Sequence, residues 1–208
     1  MRSNPDELGR SGAGVEITAS FRAAIKEDCY EIARLFRIAS DGVADYVWSK
    51  LAPKYPGLAP LEIGALRYAS EEGNFSYKNC MVAEQDRAVI GMLSTFPIKD
   101  EQEAGDAPAD LVLEPYEELE IPGSFYVCAL ALFPRFRGRG LGTEMLSIAR
   151  EQARERGFST LSLLVFEQNE GALRLYKRNG FKVVDQAQVV PHNLIHHTGD
   201  VLLMASKV

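Results

Sequence analysis

Apolar and polar positions along the chain switch between two periods, and the switches mark its elements. A run at 21–25 reads as a short first strand. Ile32, Leu35, Phe36 and Ala39 then recur at spacings of three and four, which predicts a helix with one apolar face. Asp28-x-x-Glu31 has the character of a capping box at its start, and Gly42 is a stop. A second helix is expected over 44–51, carrying Tyr46, Val47 and Trp48. A third opens at Pro60, turns Leu61, Ala65, Leu66 and Ala69 inward, and ends at Gly73. The period changes to two at 80–84 and 89–96, separated by Asp86-Arg87, which predicts a β-hairpin.

The run at 125–133 is a further strand, leading through Pro134 into Arg137-Gly138-Arg139-Gly140-Leu141-Gly142. Leu141, Met145, Ile148, Ala149 and Ala153 restore the helical period until about Arg156, and 161–166 is again strand-like. A strand, a crossover helix and a second strand predict a parallel pair. Asn169 begins the next helix with Ala172, Leu173 and Tyr176 on one side, and strands at 181–185 and 201–205 close the chain. Between these last two lies Pro191-His192-Asn193-Leu194-Ile195-His196-His197. No internal repeat is present.

A glycine-rich turn between a strand and a helix N-terminus suits an anion. Glycines admit backbone close to a ligand, and the first helical N–H groups have no intrahelical acceptor. The spacing of Gly138, Gly140 and Gly142 misses the dinucleotide fingerprint, and the Gly-Lys-Ser/Thr of a P-loop is absent. The pattern that fits is Arg/Gln-x-x-Gly-x-Gly/Ala, through Arg137, Gly140 and Gly142. With Asn169 and the Leu175-Tyr176-Lys177-Arg178-Asn179-Gly180-Phe181 segment downstream, the chain resembles the GNAT superfamily of acyl-CoA-dependent N-acetyltransferases, specifically over about 125–185 and loosely over 20–97.

The resemblance implies an α/β fold with a mixed, mostly antiparallel sheet, a central V-shaped parallel opening and helices on both faces. It implies acetyl-CoA as co-substrate, with the pyrophosphate over the N–H groups of Arg137, Gly138, Arg139, Gly140, Leu141, Gly142 and Thr143. The pantetheine would pair with the strand at Leu130 and Leu132 and contact Asn169. The Leu132 N–H would polarise the thioester carbonyl, and Tyr176 would be the general acid that protonates the leaving thiolate. The residues themselves also allow Asn169 as a helix N-cap and Tyr176 as a packing partner of Phe181. The acceptor's proton needs a base, and Glu117, Glu118, Glu120, Glu84, Glu167 and His192 are candidates. Glu118 or Glu120 is preferred for its place just ahead of the central strand.

Composition narrows the partners. The 208 residues suit one domain over 20–208 after a disordered leader at 1–19. A net charge of −6 argues against nucleic acid, and no apolar run is long enough to cross a bilayer. The three cysteines, Cys29, Cys80 and Cys128, form no CxxC pair. They read as buried thiols in a reducing, cytoplasmic setting. Metal is not expected: His192 and His196 are spaced as a helical pair but sit beside Pro191 without a third ligand.

The stretch 97–123 holds nine acids against one base, Lys99. It is either a solvated insertion or a lid whose negative field concentrates a cationic amine. Tyr46, Trp48, Tyr55 and Phe75 either line an acceptor pocket or are core, with core favoured for Trp48. The acceptor is then a small-molecule or peptide amine, a polyamine included. A homodimer is compatible with the sequence. The alternative to an enzyme is a non-catalytic acyl-CoA-binding regulator on the same fold, and an interaction module using the acidic stretch would bind no CoA.

Overall fold

The computed structural model describes residues 19–99 and 110–208. The expected leader, but for Ala19, and the acids at 100, 101, 103 and 106 lie outside those residues. Seven strands form a single sheet in the order β1-β2-β3-β4-β5-β7-β6. They are β1 (Ser20–Ala23), β2 (Cys80–Gln85), β3 (Ala88–Pro97), β4 (Phe125–Leu132), β5 (Thr160–Phe166), β6 (Lys182–Gln188) and β7 (Asp200–Lys207). Every neighbouring pair is antiparallel except β4 with β5. The β2–β3 turn puts Asp86 and Arg87 at φ 50° and 64°, as a tight hairpin matched to the strand twist requires.

Helices cover both faces. On one lie α1 (Cys29–Ser40), α2 (Val43–Leu51) and α3 (Pro60–Tyr68). Of these, α1 and α3 pack over β2–β4, with Ile32, Leu35 and Tyr68 buried against Val82, Met92, Ala129 and Ala131, and α2 packs Ala44 and Trp48 against Ala33 and Ile63 of those helices. On the other, α5 (Leu141–Glu155) and α6 (Glu170–Arg178) pack against Val127, Leu161, Leu163 and Met204. Met145, Leu146, Ala149 and Ala153 on α5 are completely buried. Each long apolar side chain removed from water in this way contributes roughly 1.5–3 kcal/mol. Among the described residues, no helix is long and apolar enough to cross a membrane.

Three local expectations change. Asp28 precedes α1 but does not cap it. Its carboxylate accepts the Ile25 N–H at 2.9 Å and two donors of Arg22 at 2.6 and 3.0 Å, because a 3-10 turn intervenes and turns it back toward β1. The apolar phase of α3 also differs: Ile63, Gly64 and Tyr68 face inward, while Leu66 is 50% exposed. This segment is apolar on several sides, and the indole of Trp48 decides its orientation by resting on Gly64, where a Cβ would lie 2.5 Å from the ring. The helix also ends at Tyr68, well before Gly73.

The third change concerns the acidic stretch. Its described part is not a solvated excursion. A short α4 (Glu114–Glu117) and the residues beside it pack Leu119, Val112 and Tyr116 against Phe166, Val201 and Leu203. Asp110 anchors the segment by accepting from the Tyr46 hydroxyl at 2.9 Å and from Lys50 at 2.5 Å.

The most consequential feature is how briefly β4 and β5 stay together. They pair only from Phe125↔Leu161 to Val127↔Leu163, although β4 continues with β3 to Leu132 and β5 with β7 to Phe166. A bulge in β4 coincides with the parting. Ser94 pairs with Ala129 and Thr95 with Val127, which leaves Cys128 as the extra residue. A bulge bends its strand and increases the local twist, so β4 turns away from β5 at that point. Below it, a hydrogen bond between the Ser124 and Ser162 hydroxyls at 2.7 Å pins the closed end of the V.

Candidate functional site

The turn after β4 is braced from below and open above. Phe136, 9% exposed, anchors it in the core, with the guanidinium groups of Arg135 and Arg139 against its ring at 4.7 and 5.6 Å. Arg139 also donates to the Arg135 carbonyl at 2.9 Å, and Arg137 Nε donates to the Leu132 carbonyl at 3.1 Å. Both arginines therefore spend donors on holding the turn's shape.

Gly138 and Gly140 adopt φ 75° and 87°, a region that side chains resist, and a Cβ on either would meet no atom within 4 Å. Gly142 is different. It is helical, and a Cβ there would come 3.0 Å from Leu175, so this glycine sets how closely α5 and α6 approach. Among the described residues, the N–H groups of Gly138, Arg139, Gly140, Leu141 and Gly142 find no protein acceptor, whereas Thr143 donates to the Gly140 carbonyl at 2.8 Å. Five donors without protein acceptors at a helix N-terminus suit a phosphate.

The ladder settles which way the gap-side strand groups point. Phe133 N–H donates to the Ile90 carbonyl at 3.0 Å, so that pair is the hydrogen-bonded kind. Antiparallel pairs alternate, which makes Leu132↔Gly91 and Leu130↔Leu93 non-bonded pairs. Their N–H groups consequently face the opening where β5 has departed. The same argument applies to β5, where Glu167 N–H donates to the Asp200 carbonyl at 3.0 Å. Leu164 and Phe166 then direct their backbone groups into the gap from the other side. The Leu132 carbonyl is taken by Arg137 and the Phe166 carbonyl by the Asn169 N–H, so an extended chain entering the V meets the N–H groups of Leu130, Leu132, Leu164 and Phe166 and the carbonyls of Leu130 and Leu164. The sequence points to the β4 wall but not to the β5 wall. Strand alternation at 161–166 holds that signal, but only once the partner strand is known to leave.

One cavity of about 1090 Å³ joins these features, running from Gly138 and Thr143 through the V to Trp48 and Phe75. Tyr176, on α6, lies on its wall. The side chain is 7% exposed and its ring meets Phe181 at 5.9 Å, yet its hydroxyl has no hydrogen-bond partner among the described residues. Burial pushes its pKa up to about 12. Asn169 caps α6, its side-chain oxygen accepting the Ala172 N–H at 3.1 Å, and it lines the cavity as well.

The candidate bases separate. Glu117 and Glu120 line the cavity, while Glu118 is exposed outside it. Glu120 lies close enough to Tyr126 for its charge to help raise that phenol's pKa, behind the larger effect of burial. Glu84 is held by Arg22 at 2.8 Å, and Glu167 is exposed beside Gly199. His192 packs its ring edge-on to Tyr46 at 4.6 Å and accepts the Leu194 N–H at 3.2 Å, outside the cavity.

Of the four aromatics flagged in the sequence, Trp48 and Phe75 border the cavity. Tyr46 turns to Asp110, and Tyr55 is on the surface. Phe36, Phe96 and Tyr126 join the wall instead, drawn in by β3, β4 and α1. Cys128, the bulge residue, also faces it, with burial raising its thiol to about 12.

A second cavity of about 940 Å³ borders the first at Arg137 and Asn169. On its wall, His196 and His197 both reach the Asp41 carboxylate, and His197 stacks on Phe166 at 4.3 Å. This clasp joins the α1–α2 corner to the β6–β7 connection; the histidines were read in the sequence, but Asp41 was not.

A profile of the acetyltransferase (GNAT) family matches residues 45–181, more than half of the chain. A stretch of 49 residues is 47% identical to an uncharacterised N-acetyltransferase of Methanocaldococcus jannaschii, MJ1207, and covers 24% of this chain but only 22% of that relative's length. Over the whole fold, an N-acetyltransferase from Staphylococcus aureus superposes with a TM-score of 0.62 at 21% identity, covering 90% of this chain and all of the other. The PaiA N-acetyltransferase of Thermoplasma acidophilum, in complex with coenzyme A, gives 0.54 at 18% identity, covering 92% and 99%. Sheet order, splayed central strands, glycine turn and family profile agree: the chain belongs to the acetyltransferase (GNAT) family.

Proposed function

We propose that this protein transfers an acetyl group from acetyl-CoA to a primary amine by direct attack of the amine on the thioester. The observation that carries the reading is the joining, in one cavity, of a cradle of unpaired N–H groups and a V whose walls offer unpaired strand groups. The glycine turn from 138 to 142 holds the pyrophosphate, and its open positions at Gly138 and Gly140 fit that group. Leu130 and Leu132 on one wall and Leu164 on the other pair with the pantetheine as a third strand would, with Asn169 at its flank. The coenzyme A complex of the structural neighbour supports the donor, and family membership supports the reaction class.

The Leu132 N–H donates to the thioester carbonyl as negative charge grows on it, and one such donor in a shielded site contributes roughly 2.7–4 kcal/mol. Tyr176 remains protonated through neutral pH and hands its proton to the departing thiolate. A protonated alkylamine cannot attack. Removing its proton at pH 7 costs about 4.6 kcal/mol, at about 1.36 per pKa unit. Glu120 accepts that proton, directly or through water. A covalent route through Cys128 is disfavoured, because its thiol stays protonated at neutral pH. Calorimetry with acetyl-CoA tests the donor site, and a thiol-release assay over a panel of amines tests the transfer. Binding without release from any amine leaves a non-catalytic acyl-CoA sensor; no binding removes the reading.

A further inference from the structure

We propose that the acceptor carries its amine and a carboxylate at opposite ends of an apolar, preferably aromatic, body, and that Arg67 holds the carboxylate. This rests on the acetyl-transfer reading above and concerns the far end of the same cavity. From the V outward, the wall is a run of rings: Tyr126 meets Phe96 at 5.4 Å, Phe96 meets Phe75 at 6.3 Å, and Phe75 meets Phe36 at 5.8 Å. Such a surface suits an apolar body of matching shape. At the end of the run, the Arg67 guanidinium lies 5.0 Å from the Phe75 ring centre and borders the cavity.

A cation in the last turn of α3 complements the helix dipole wherever it points, so its presence alone says little. Its surroundings say more. Arg22, Arg34, Arg37 and Arg174 each meet a carboxylate, but the Arg67 guanidinium has no ion pair and no hydrogen bond among the described residues. It is half-buried and held beside a ring, with its donors left for another partner. A planar fork of that kind binds a carboxylate with two parallel hydrogen bonds. Glu117 and Glu120 line the cavity too, and Glu120 lies near Tyr126 at the V end. The charges therefore favour the amine near Glu120 and the anion near Arg67. Two rings, Phe75 and Phe96, intervene between Arg67 and Tyr126, which is longer than the separation within an α-amino acid. A polyamine would instead press a second ammonium on Arg67.

The test uses the full chain and acetyl-CoA, with thiol release from para-(aminoethyl)benzoate, its methyl ester, 2-phenylethylamine and spermidine. The expected kcat/KM for the free acid exceeds that for the ester by about tenfold to a hundredfold, the usual worth of hydrogen bonds to a charged group. The difference should lie in KM. Arg67→Ala brings the ratio of acid to ester near one, and Arg67→Lys restores part of it. Equal use of acid and ester, preference for spermidine, or an Arg67→Ala loss that is the same for all amines overturns the inference. So does release from none of the four by a protein that binds acetyl-CoA, which leaves the donor site standing. Absence of acetyl-CoA binding fails the donor reading and this inference together.

Discussion

At the scale of single residues, chemistry divides between groups that touch the reaction and groups that only shape it. Tyr176 lines the cavity and has a phenol held protonated by burial. Tyr176→Phe should lower kcat by roughly a hundredfold or more while leaving acetyl-CoA affinity within a factor of two, as measured by thiol release and calorimetry. Wild-type turnover would remove the general acid. Glu120→Gln should likewise lower kcat, by about tenfold or more in the thiol-release assay, whereas Glu118→Gln should behave as wild type because that side chain lies outside the cavity. A reversed outcome would return the base to Glu118. Both carboxylates look alike in the sequence, since neighbouring positions on an irregular segment have no period to separate them. Asp28 teaches the same lesson: the motif around it reads as a cap, but the nearest cation claimed its carboxylate.

At the scale of elements, the glycine turn and the β4 bulge do separate jobs. Gly140→Ala places a Cβ in open space at φ 87°, so its steric cost is backbone strain of about 1–2 kcal/mol, and it intrudes where the phosphates are expected. Acetyl-CoA affinity should fall more than thermal stability does. Gly142→Leu should do the opposite at the α5–α6 contact, with overpacking of about 1–3 kcal/mol appearing first in the melting temperature. If both variants lose affinity and stability in equal measure, the division fails. The turn was legible because the need for positive φ selects glycine and leaves a mark in the chain. The bulge was not, because Cys128 sits inside an unbroken apolar run from Phe125 to Phe133, and only the β3 register reveals the extra residue. The V-shaped opening thus entered the sequence reading through the family resemblance and gains its local cause from the structure.

At the scale of the whole molecule, burial of titratable side chains sets the pH range of stability. Burial raises Cys29 from its ordinary 9.0 to about 11, and Cys80 and Cys128 to about 12. These groups keep their protons in the folded state when the unfolded chain would release them. Their stabilisation is complete below pH 9 and is lost as pH rises toward 11–12. The melting temperature should therefore fall steadily between pH 9 and 11, and a Cys80→Ala, Cys128→Ala variant should show a shallower fall. An unchanged slope would mean that the thiols are not the cause. The sequence by itself determined the order of strands and helices, the glycine turn after β4 and the family, because those features depend on period, on glycine and on local spacing. Only the tertiary structure decided that Glu120 rather than Glu118 borders the cavity, that 110–121 packs rather than floats, and that Arg67 meets a ring wall without a counter-charge among the described residues. Each of these depends on which residues distant in the chain become neighbours, and that follows from how β4 bends away from β5 and what packs into the space it opens.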